Sequence, residues 1–261
     1  RPLVVSVSGG KDSTAMSLWL IEQGLRDRCT FVFADTRWEH PDLYRYLDDV
    51  LEPLLGKLHR VTSEKYPEGM SDLVKGKGMF PSRPIRFCTQ ELKVKPLIKF
   101  MDEHPGDPIN VVGIRAAESE RRSKMFEWET GGPMGRDTWR PLIAWTVEEV
   151  IDIHTRNGIT PCPLYLRAEN PSSRVGCYPC IMSRKSEILA VAKADPWRID
   201  EIRELERQVG DAAEKRAADR GEEAGERPAF FQARDRSGDK RWPIDRVVEW
   251  SKTARGGKQF E

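Results

Sequence analysis

The chain has 261 residues, enough to bury the core of one large α/β domain or of a domain with an appendage. Its 43 Lys and Arg residues nearly balance 42 Asp and Glu residues, so the net charge of +1 gives no indication of a nucleic-acid partner. No apolar run approaches the roughly 18 residues of a membrane-spanning helix, and we expect a cytoplasmic protein.

The first sixty residues alternate between strand and helix patterns. Residues 3–7 form a short β-branched run that ends in Ser-Gly-Gly, and residues 11–23 then have a helical pattern. A second apolar run, 30–34, ends in Asp-Thr, and residues 41–51 predict a helix entered through a proline. This alternation predicts an α/β fold with a Rossmann-like parallel sheet and helices on both faces.

The middle of the chain is less regular. Residues 61–63 and 109–113 indicate two further short strands, whereas 88–103 and 146–157 predict helices. Residues 66–86 are rich in Gly, Pro and Lys and have little regular pattern. A connector does not need that length, so we expect a functional loop there.

The last part of the chain is acidic and helix-forming. Between Asp195 and Glu226 there are 6 Lys and Arg residues against 11 Asp and Glu, and no recognisable motif. We therefore predict a core domain over 1–190 and a charged helical C-terminal appendage over 191–261.

A predicted phosphate-binding loop lies between the first strand and the first helix. Backbone N–H groups and the positive end of a helix dipole converge in such a loop, and they suit a phosphate. Asp12 stands out, because a carboxylate beside a polyphosphate is repulsive unless a cation lies between them, and we therefore expect Mg²⁺ there. The loop consists of Ser8, Gly9, Gly10, Lys11, Asp12 and Ser13.

These six residues resemble the Ser-Gly-Gly-x-Asp-Ser signature of the PP-loop superfamily, which comprises the N-type ATP pyrophosphatases and their relatives of the PAPS reductase-like family. The resemblance covers roughly the first 190 residues. It implies that the loop binds ATP, that ATP is split between its α and β phosphates, and that Lys11 and Asp12 are catalytic. An ordinary glycine turn is the alternative interpretation.

Two further segments resemble the sulfonucleotide-reductase branch of that superfamily. Asp35-Thr36, with a proline five residues after Thr36, resembles its Asp-Thr-Gly-x-x-x-Pro segment, with Arg37 in place of the usual glycine. The resemblance implies that Asp35 and Thr36 lie beside the adenosine, where Asp35 acts near the ribose or the metal. A helix-capping role for Asp35 is the alternative.

The other segment follows the strand predicted at 109–113. It resembles the branch's Gly-x-Arg-x-x-Glu-Ser-x-x-Arg motif, and guanidinium groups bind phosphate or sulfate in bidentate fashion. The implied nucleotide-binding residues are Arg115, Glu118 and Arg121, with Arg115 also catalytic. A surface salt-bridge network is the alternative.

The five cysteines are unevenly spaced. Cys177 and Cys180 have the two-residue separation that lets two thiolates hold one metal or cluster. Cys162 lies just upstream among prolines, and Cys88 opens a segment that resembles the family's Cys-x-x-x-x-Lys-x-x-Pro. These four resemble the ligands of a 4Fe-4S cluster, with structural zinc and persulfide-carrying or unligated thiols as the alternatives. Cys29 is expected to be a core residue.

Two reactions compete within this resemblance. A phosphoadenosine or adenosine phosphosulfate reductase attacks sulfur with a thiolate from a C-terminal Glu-Cys-Gly segment, and no cysteine follows Cys180 here. A reductase-like core without that thiol resembles the ATP-pyrophosphatase component of DNA phosphorothioation systems of the Dnd and Ssp kinds. That component adenylates an oxygen, which a sulfur nucleophile then replaces. RNA thiolation enzymes, such as those acting on tRNA, share the chemistry, and a nucleotide sensor without turnover is a further alternative.

The partners follow from the second reaction. We expect a cysteine desulfurase as the sulfur donor and DNA, or RNA, as the acceptor; a homodimer is compatible with the sequence. Between Lys57 and Lys124 there are 14 Lys and Arg residues against 9 Asp and Glu. The loop 66–86 lies within this basic segment, and its basic residues would contact backbone phosphates: Lys75, Lys77, Arg83 and Arg86. A merely solvated loop is the alternative.

Overall fold

The computed structural model describes residues 1–169, 171–223, 225–231 and 241–254. The strands in these ranges are β1 (Leu3–Ser6), β2 (Cys29–Ala34), β3 (Leu58–Val61), β4 (Ile109–Val112), β5 (Trp128–Glu129) and β6 (Thr138–Trp139). They form one six-stranded sheet in the order β3-β2-β1-β4-β6-β5. The first five strands in that order are parallel, and β5 runs antiparallel to β6.

The helices cover both faces of the sheet and the C-terminal part of the chain. They are α1 (Lys11–Glu22), α2 (Pro41–Tyr46), α3 (Glu52–Leu55), α4 (Met70–Lys77), α5 (Phe87–Thr89), α6 (Lys95–Glu103), α7 (Glu120–Ser123), α8 (Val147–Arg156), α9 (Lys185–Ala194), α10 (Pro196–Asp219) and α11 (Ile244–Ser251). Single π-helical turns, Leu47–Leu51 and Gln90–Val94, join α2 to α3 and α5 to α6.

Alternation of side chains along β1 explains why helices cover both faces. Val5 belongs to the hydrophobic cluster shared with α1 and α8, whereas Val4 belongs to the cluster that contains Leu97 and Met101 of α6. A strand buried on both faces is apolar throughout, as Leu3-Val4-Val5 is. The predicted α/β fold, Rossmann-like with a parallel sheet and helices on both faces, is confirmed, as are the C-terminal helices.

The sheet reverses its strand order beside β1. The chain moves from β1 to β2 on one side, and β4 then pairs with β1 on the other. Loops that leave the carboxyl ends of two such strands diverge and leave a crevice, which is where open α/β sheets bind ligands. The phosphate loop follows β1, and the segment containing Arg115 follows β4, so both predicted motifs lie at this crevice.

The C-terminal helices share a core with the middle of the chain. A second hydrophobic cluster joins Leu73 and Phe80 to Ile202 of α10 and Val247 of α11. The domain boundary predicted at residue 190 falls inside α9. The C-terminal region, as far as it is described, therefore packs on residues 66–92 rather than standing apart.

A buried carboxylate fastens the end of the described chain. Glu206 of α10 is 8% exposed and accepts hydrogen bonds from the backbone N–H groups of Phe230, at 2.9 Å, and Ile244, at 3.0 Å. Burial raises the pKa of Glu206 to about 6, against the opposing effect of those two N–H groups. One side chain thus ties the segments before and after residues 232–240 to α10.

The structure differs from the sequence-based expectation in several elements. Residues 66–86 are not wholly irregular, since they contain α4, which ends at Gly78 in the left-handed conformation. The helix expected over 88–103 is divided by a π-helical turn. The two-residue strands β5 and β6 lacked any detectable pattern. Across the described ranges no helix is both long and apolar enough to cross a membrane.

Candidate active site

Hydrogen bonds of Ser13 stabilise the conformation of the phosphate loop. Ser13 Oγ accepts a hydrogen bond from the Ser8 backbone N–H at 3.1 Å and donates one to the Gly10 carbonyl at 2.9 Å. Gly9 has φ +70°, and a Cβ there would lie 2.3 Å from Leu43 Cδ1, so both conformation and space require glycine. Because α1 begins within this loop, at Lys11, the N–H groups of its first turn lack acceptors within the helix, which suits an anion.

Two cations of the protein neutralise the carboxylate in this loop. Asp12 forms a salt bridge with Arg115 Nε, and Lys11 Nζ lies 3.5 Å from its other oxygen. The loops after β1 and β4 meet closely enough that a Cβ at Gly113 would lie 2.9 Å from the Asp12 carbonyl oxygen. The structure thus brings Lys11, Asp12 and Arg115 together. Mg²⁺ stays a prediction, since these cations already offset the charge that suggested it.

A tyrosine covers the start of α1. The Tyr165 hydroxyl oxygen accepts a hydrogen bond from the Lys11 backbone N–H at 3.3 Å, and Lys11 Nζ lies 5.3 Å from the centre of its ring. Burial raises the pKa of this phenol. The Tyr165 hydroxyl therefore occupies the Lys11 backbone N–H, a donor that would otherwise be available to a phosphate oxygen.

The Asp35–Glu39 loop is held by its own carboxylates. Asp35 Oδ1 accepts hydrogen bonds from the Arg37 backbone N–H at 2.8 Å and the Tyr44 hydroxyl at 2.7 Å. Thr36 Oγ1 donates to Glu39 Oε1 at 2.6 Å. Arg37 has φ +54°, the left-handed conformation that glycine adopts more easily and that explains the glycine usual at this position in the resembling motif.

Glu39 joins this loop to the Cys-x-x-Cys segment. Its carboxylate, 3% exposed as a residue, also accepts from the Trp38 backbone N–H at 3.1 Å and lies 3.9 Å from the Cys177 sulfur. Glu39 and Cys177 form an isolated antiparallel bridge, and the Tyr178 N–H donates to the Trp38 carbonyl at 2.8 Å. The two loops are therefore one paired unit.

A cavity of about 120 Å³ connects the phosphate loop to that unit. Its wall includes Ser8 from the phosphate loop, Glu39, Lys93 and Gly176, together with residues of β1 and β2. The predicted nucleotide loop and the segment next to Cys177 thus face one space.

Three of the predicted thiols influence the charge of Lys93. The nearby Cys177 thiol is the strongest influence on the Lys93 ammonium and raises its pKa, with burial opposing and with Glu39, Cys180 and Cys88 adding to the rise. Burial raises the pKa of Cys177 to about 11, against the effect of Lys93. Burial also raises the pKa of Cys88, and its second cause is Cys180. These three cysteines and Lys93 form one electrostatically coupled cluster.

Cys162 does not belong to this cluster, so the expectation that four cysteines surround one metal needs correction. Cys162 is fully buried in the hydrophobic cluster around the sheet, whereas Cys88, Cys177 and Cys180 border the second cluster. The family resemblance implied a ligand at this position, but the side chain of Cys162 fills the core instead. Within the described ranges no three His, Cys, Asp or Glu residues are arranged to hold a metal ion. The four predicted ligands thus do not fit a 4Fe-4S cluster or a zinc ion as a set.

The remaining predicted residues lie on the segment after β4. Glu118 accepts from the Arg115 backbone N–H at 2.8 Å and forms a salt bridge with Arg122, so it shapes the turn that presents Arg115. Arg121 is exposed on α7, and the structure gives it no salt bridge to a described residue. Arg115 is therefore at the phosphate loop, whereas Arg121 faces solvent.

The sequence analysis missed three residues at this site. Lys93, Glu39 and Tyr165 all adjoin the cavity or the phosphate loop. For Lys93 the signal was present, because it is the lysine of the Cys-x-x-x-x-Lys-x-x-Pro segment. Tyr165 had no signal, since only the fold brings it to Lys11 from 154 positions away.

Two proteins are similar in sequence to most of this chain. An uncharacterized 37.8 kDa protein of Escherichia phage 186 is 33% identical over 320 aligned residues, which cover 99% of this chain and 90% of that protein. The adenosine 5'-phosphosulfate reductase of Salinibacter ruber is 28% identical over 158 residues, 60% of this chain and 59% of that enzyme.

A solved structure shows a similar fold, and a family model shows the family. The phosphoadenylyl-sulfate reductase of Candida auris, in its phosphate complex, superposes with a TM-score of 0.50 at 19% identity, covering 69% of this chain and 83% of that one, and at this identity the likeness shows the fold alone. The model of the phosphoadenosine phosphosulfate reductase domain matches residues 2–183. The chain therefore belongs to the phosphoadenosine phosphosulfate reductase domain family.

Proposed function

We propose that the protein is an ATP pyrophosphatase that adenylates an oxygen of an acceptor so that sulfur can replace that oxygen, with a DNA backbone phosphate as the acceptor. The observation that carries the proposal is the cavity shared by Ser8 and Lys93. A nucleotide on the phosphate loop and a sulfur near Cys177 would meet there.

The first step follows from the charges at the phosphate loop. An acceptor oxygen attacks the α phosphorus of ATP, the bond from that phosphorus to the bridging oxygen breaks, and pyrophosphate leaves. Lys11 and Arg115 are placed to stabilise negative charge that grows on the leaving group, since fixed cations cost no reorganisation during the reaction. When bound, Mg²⁺ would supply further positive charge to the phosphates.

The second step uses the adenylated acceptor. The terminal sulfur of a persulfide, brought by a cysteine desulfurase, attacks the acceptor phosphorus, and AMP leaves with the oxygen that it had activated. A second thiol then attacks the sulfur–sulfur bond, so that the phosphorothioate is released and the carrier sulfur forms a disulfide with that thiol. Lys93 lies on the cavity wall, and its charge acts to lower the pKa of the Cys177 thiol, so it favours an anionic sulfur. No step here needs a bound metal cluster.

Pyrophosphate release tests the first step. ATP with Mg²⁺ and DNA should give AMP and pyrophosphate, and Lys11→Ala should lower the rate at least about a hundredfold, because it removes one charge aimed at the leaving group. Arg207→Ala, an exposed arginine of α10, is the matched control. Formation of ADP and phosphate would contradict the proposal.

The acceptor is tested by mass spectrometry of nuclease-digested DNA from cells that carry the intact gene set. Phosphorothioate dinucleotides should be present with the wild-type protein and absent with Lys11→Ala. Equal amounts in both would remove DNA as the acceptor, and thiolated bases in tRNA would identify RNA instead.

Contacts with DNA are tested separately from chemistry. Arg86 is exposed and begins the turn that leads into Cys88, and Arg83 lies three residues before it. Replacing both with Ala should weaken DNA binding and lower the slope of log affinity against log salt by about one unit per lost phosphate contact. ATP binding should be unchanged.

Reduction of a sulfonucleotide is a second candidate, favoured by the family and by the Cys177 thiol, which directly follows Gly176 of the cavity wall. Phosphoadenosine or adenosine phosphosulfate, supplied with a dithiol reductant, would then yield sulfite. Sulfite formed without ATP would favour the reductase, whereas pyrophosphate formed from ATP would favour the adenylating enzyme.

A further inference from the structure

We propose that the N-terminal end of α10 is a clamp that positions the two paired loops of the active site, and that Arg198 and Asp195 are its positioning residues. The term clamp refers to these two residues. The proposal rests on the proposed function for the importance of those loops, but the contacts themselves are independent of the reaction.

Arg198 contacts the first of the two paired loops, Asp35–Glu39. Its Nη2 donates to the Glu39 carbonyl at 2.9 Å, and its Nη1 lies 2.8 Å from Glu201. The guanidinium is held between Trp38 and Trp197, 4.5 and 4.6 Å from the ring centres. Arg198 is only 4% exposed, so its contact with the loop carbonyl is made out of water.

Asp195 contacts the second of the two paired loops, which contains Cys177 and Cys180. Its Oδ2 accepts from the Tyr178 hydroxyl at 2.5 Å and from Arg167 Nη1 at 2.5 Å. Its Oδ1 lies 3.3 Å from His40 Nε2, and His40 caps α2 directly after the first loop. Asp195 therefore holds both loops through residues adjacent to Glu39 and Cys177.

The clamp acts on residues that face the cavity. Glu39 lies on the cavity wall and contacts Cys177, and the backbone bridge between them joins the two loops. Trp38 Nε1 adds a hydrogen bond to the Pro179 carbonyl at 3.1 Å. A shift of Arg198 would thus move Glu39 and Cys177 relative to the phosphate loop, which is built from other elements. This gives the C-terminal helices a role in placing the reacting groups.

Hydrogen exchange measured by mass spectrometry tests the clamp without any reaction. In Arg198→Gln, amides of peptides covering residues 36–42 and 176–183 should exchange about tenfold faster or more, the factor expected when a hydrogen bond from a charged donor is lost. Peptides covering β1 and β4 should change less than about twofold, and Arg198→Lys should restore part of the protection. Arg207→Gln, on the same helix but exposed, is the matched control.

Kinetics supply the second readout. The kcat for pyrophosphate release should fall about tenfold in Arg198→Gln, while the KM for ATP stays within about twofold, because the phosphate loop keeps its own contacts. If Arg198→Gln does not fold, Asp195→Asn, which keeps the side-chain shape, takes its place in both measurements.

Three outcomes would overturn the proposal. Exchange that accelerates equally in the loops and in β1 would show a general loss of stability. Unchanged exchange in the loops would show that the clamp does not hold them, and an unchanged kcat with faster loop exchange would show that their position does not matter. If the wild-type protein releases no pyrophosphate, the proposed function fails, but local acceleration of exchange still supports the clamp.

Discussion

Removing the carboxylate of Asp12 should weaken the fold as well as the reaction. The sequence predicts that Asp12→Ala abolishes turnover and leaves the fold intact, because a metal contact is lost and no core packing changes. The structure alters the second part. The Asp12 side chain is 14% exposed and forms a salt bridge with Arg115, whose side chain is 8% exposed.

The cost follows from that burial. Breaking a buried ion pair by removing one partner costs about 3–5 kcal/mol, because the other charge stays buried without compensation. Lys11 lies 3.5 Å from Asp12 and adds a second uncompensated charge, but it is 25% exposed and better solvated. We therefore expect a loss of about 3 kcal/mol in the free energy of unfolding. For a chain of this size that corresponds to a fall in Tm of roughly 10 °C.

A double-mutant cycle checks the reasoning. Urea unfolding, followed by tryptophan fluorescence, is measured for Asp12→Ala, Arg115→Met and the double variant. Because the double variant removes both members of the buried pair, it should lose less than the sum of the two single losses, by a coupling free energy of about 2 kcal/mol. Glu120→Ala, which breaks the exposed pair with Lys124, is the control and should cost less than about 0.5 kcal/mol. Strictly additive losses, or a stable Asp12→Ala, would refute the argument.

Three further predictions concern other residues. Burial raises the pKa of Glu206 from 4.5 to about 6, so its contribution to the free energy of unfolding is fully present below pH 4.5 and is lost as the pH rises through 6. The free energy of unfolding should therefore fall by about 2 kcal/mol over this range in the wild-type protein, and this part of the fall should be missing in Glu206→Gln. Identical pH profiles of the two proteins would contradict the prediction. If iron, sulfide or zinc is found in protein purified without oxygen, Cys88→Ser should remove it and Cys162→Ser should not, since Cys162 lies in the sheet core. In Tyr165→Phe the Lys11 N–H loses its acceptor, so calorimetry should show about fivefold tighter pyrophosphate binding, and weaker binding would mean that the hydroxyl assists the ligand.

Local sequence patterns determined much of the fold and of the phosphate loop. The β-branched run before Ser8, the glycines after it and the helix that follows are properties of adjacent residues, so the strand-loop-helix unit could be predicted. Its alternation with the second strand and helix predicted the parallel sheet. The sequence analysis did not predict the contact of Asp12 with Arg115, although both motifs come directly after strands and parallel strands place such loops at one edge of the sheet.

The tertiary structure alone decided which distant residues share a site. Cys162, Cys177 and Cys180 are close in sequence, yet Cys162 packs in the sheet core while the other two join Cys88 and Lys93. The spacing of cysteines along the chain cannot show which of them lie together, because the cluster in which a thiol is buried depends on how the helices pack.

The C-terminal region shows the same limit. Its charge and helical pattern predicted a helical appendage, but they gave no sign of what it packs against, because they are properties of its exposed face. Its buried face packs on residues 66–92, and Arg198 reaches the carbonyl of Glu39 from 159 positions away. A contact over that separation depends on the free energy of the whole fold, and no window of sequence contains it.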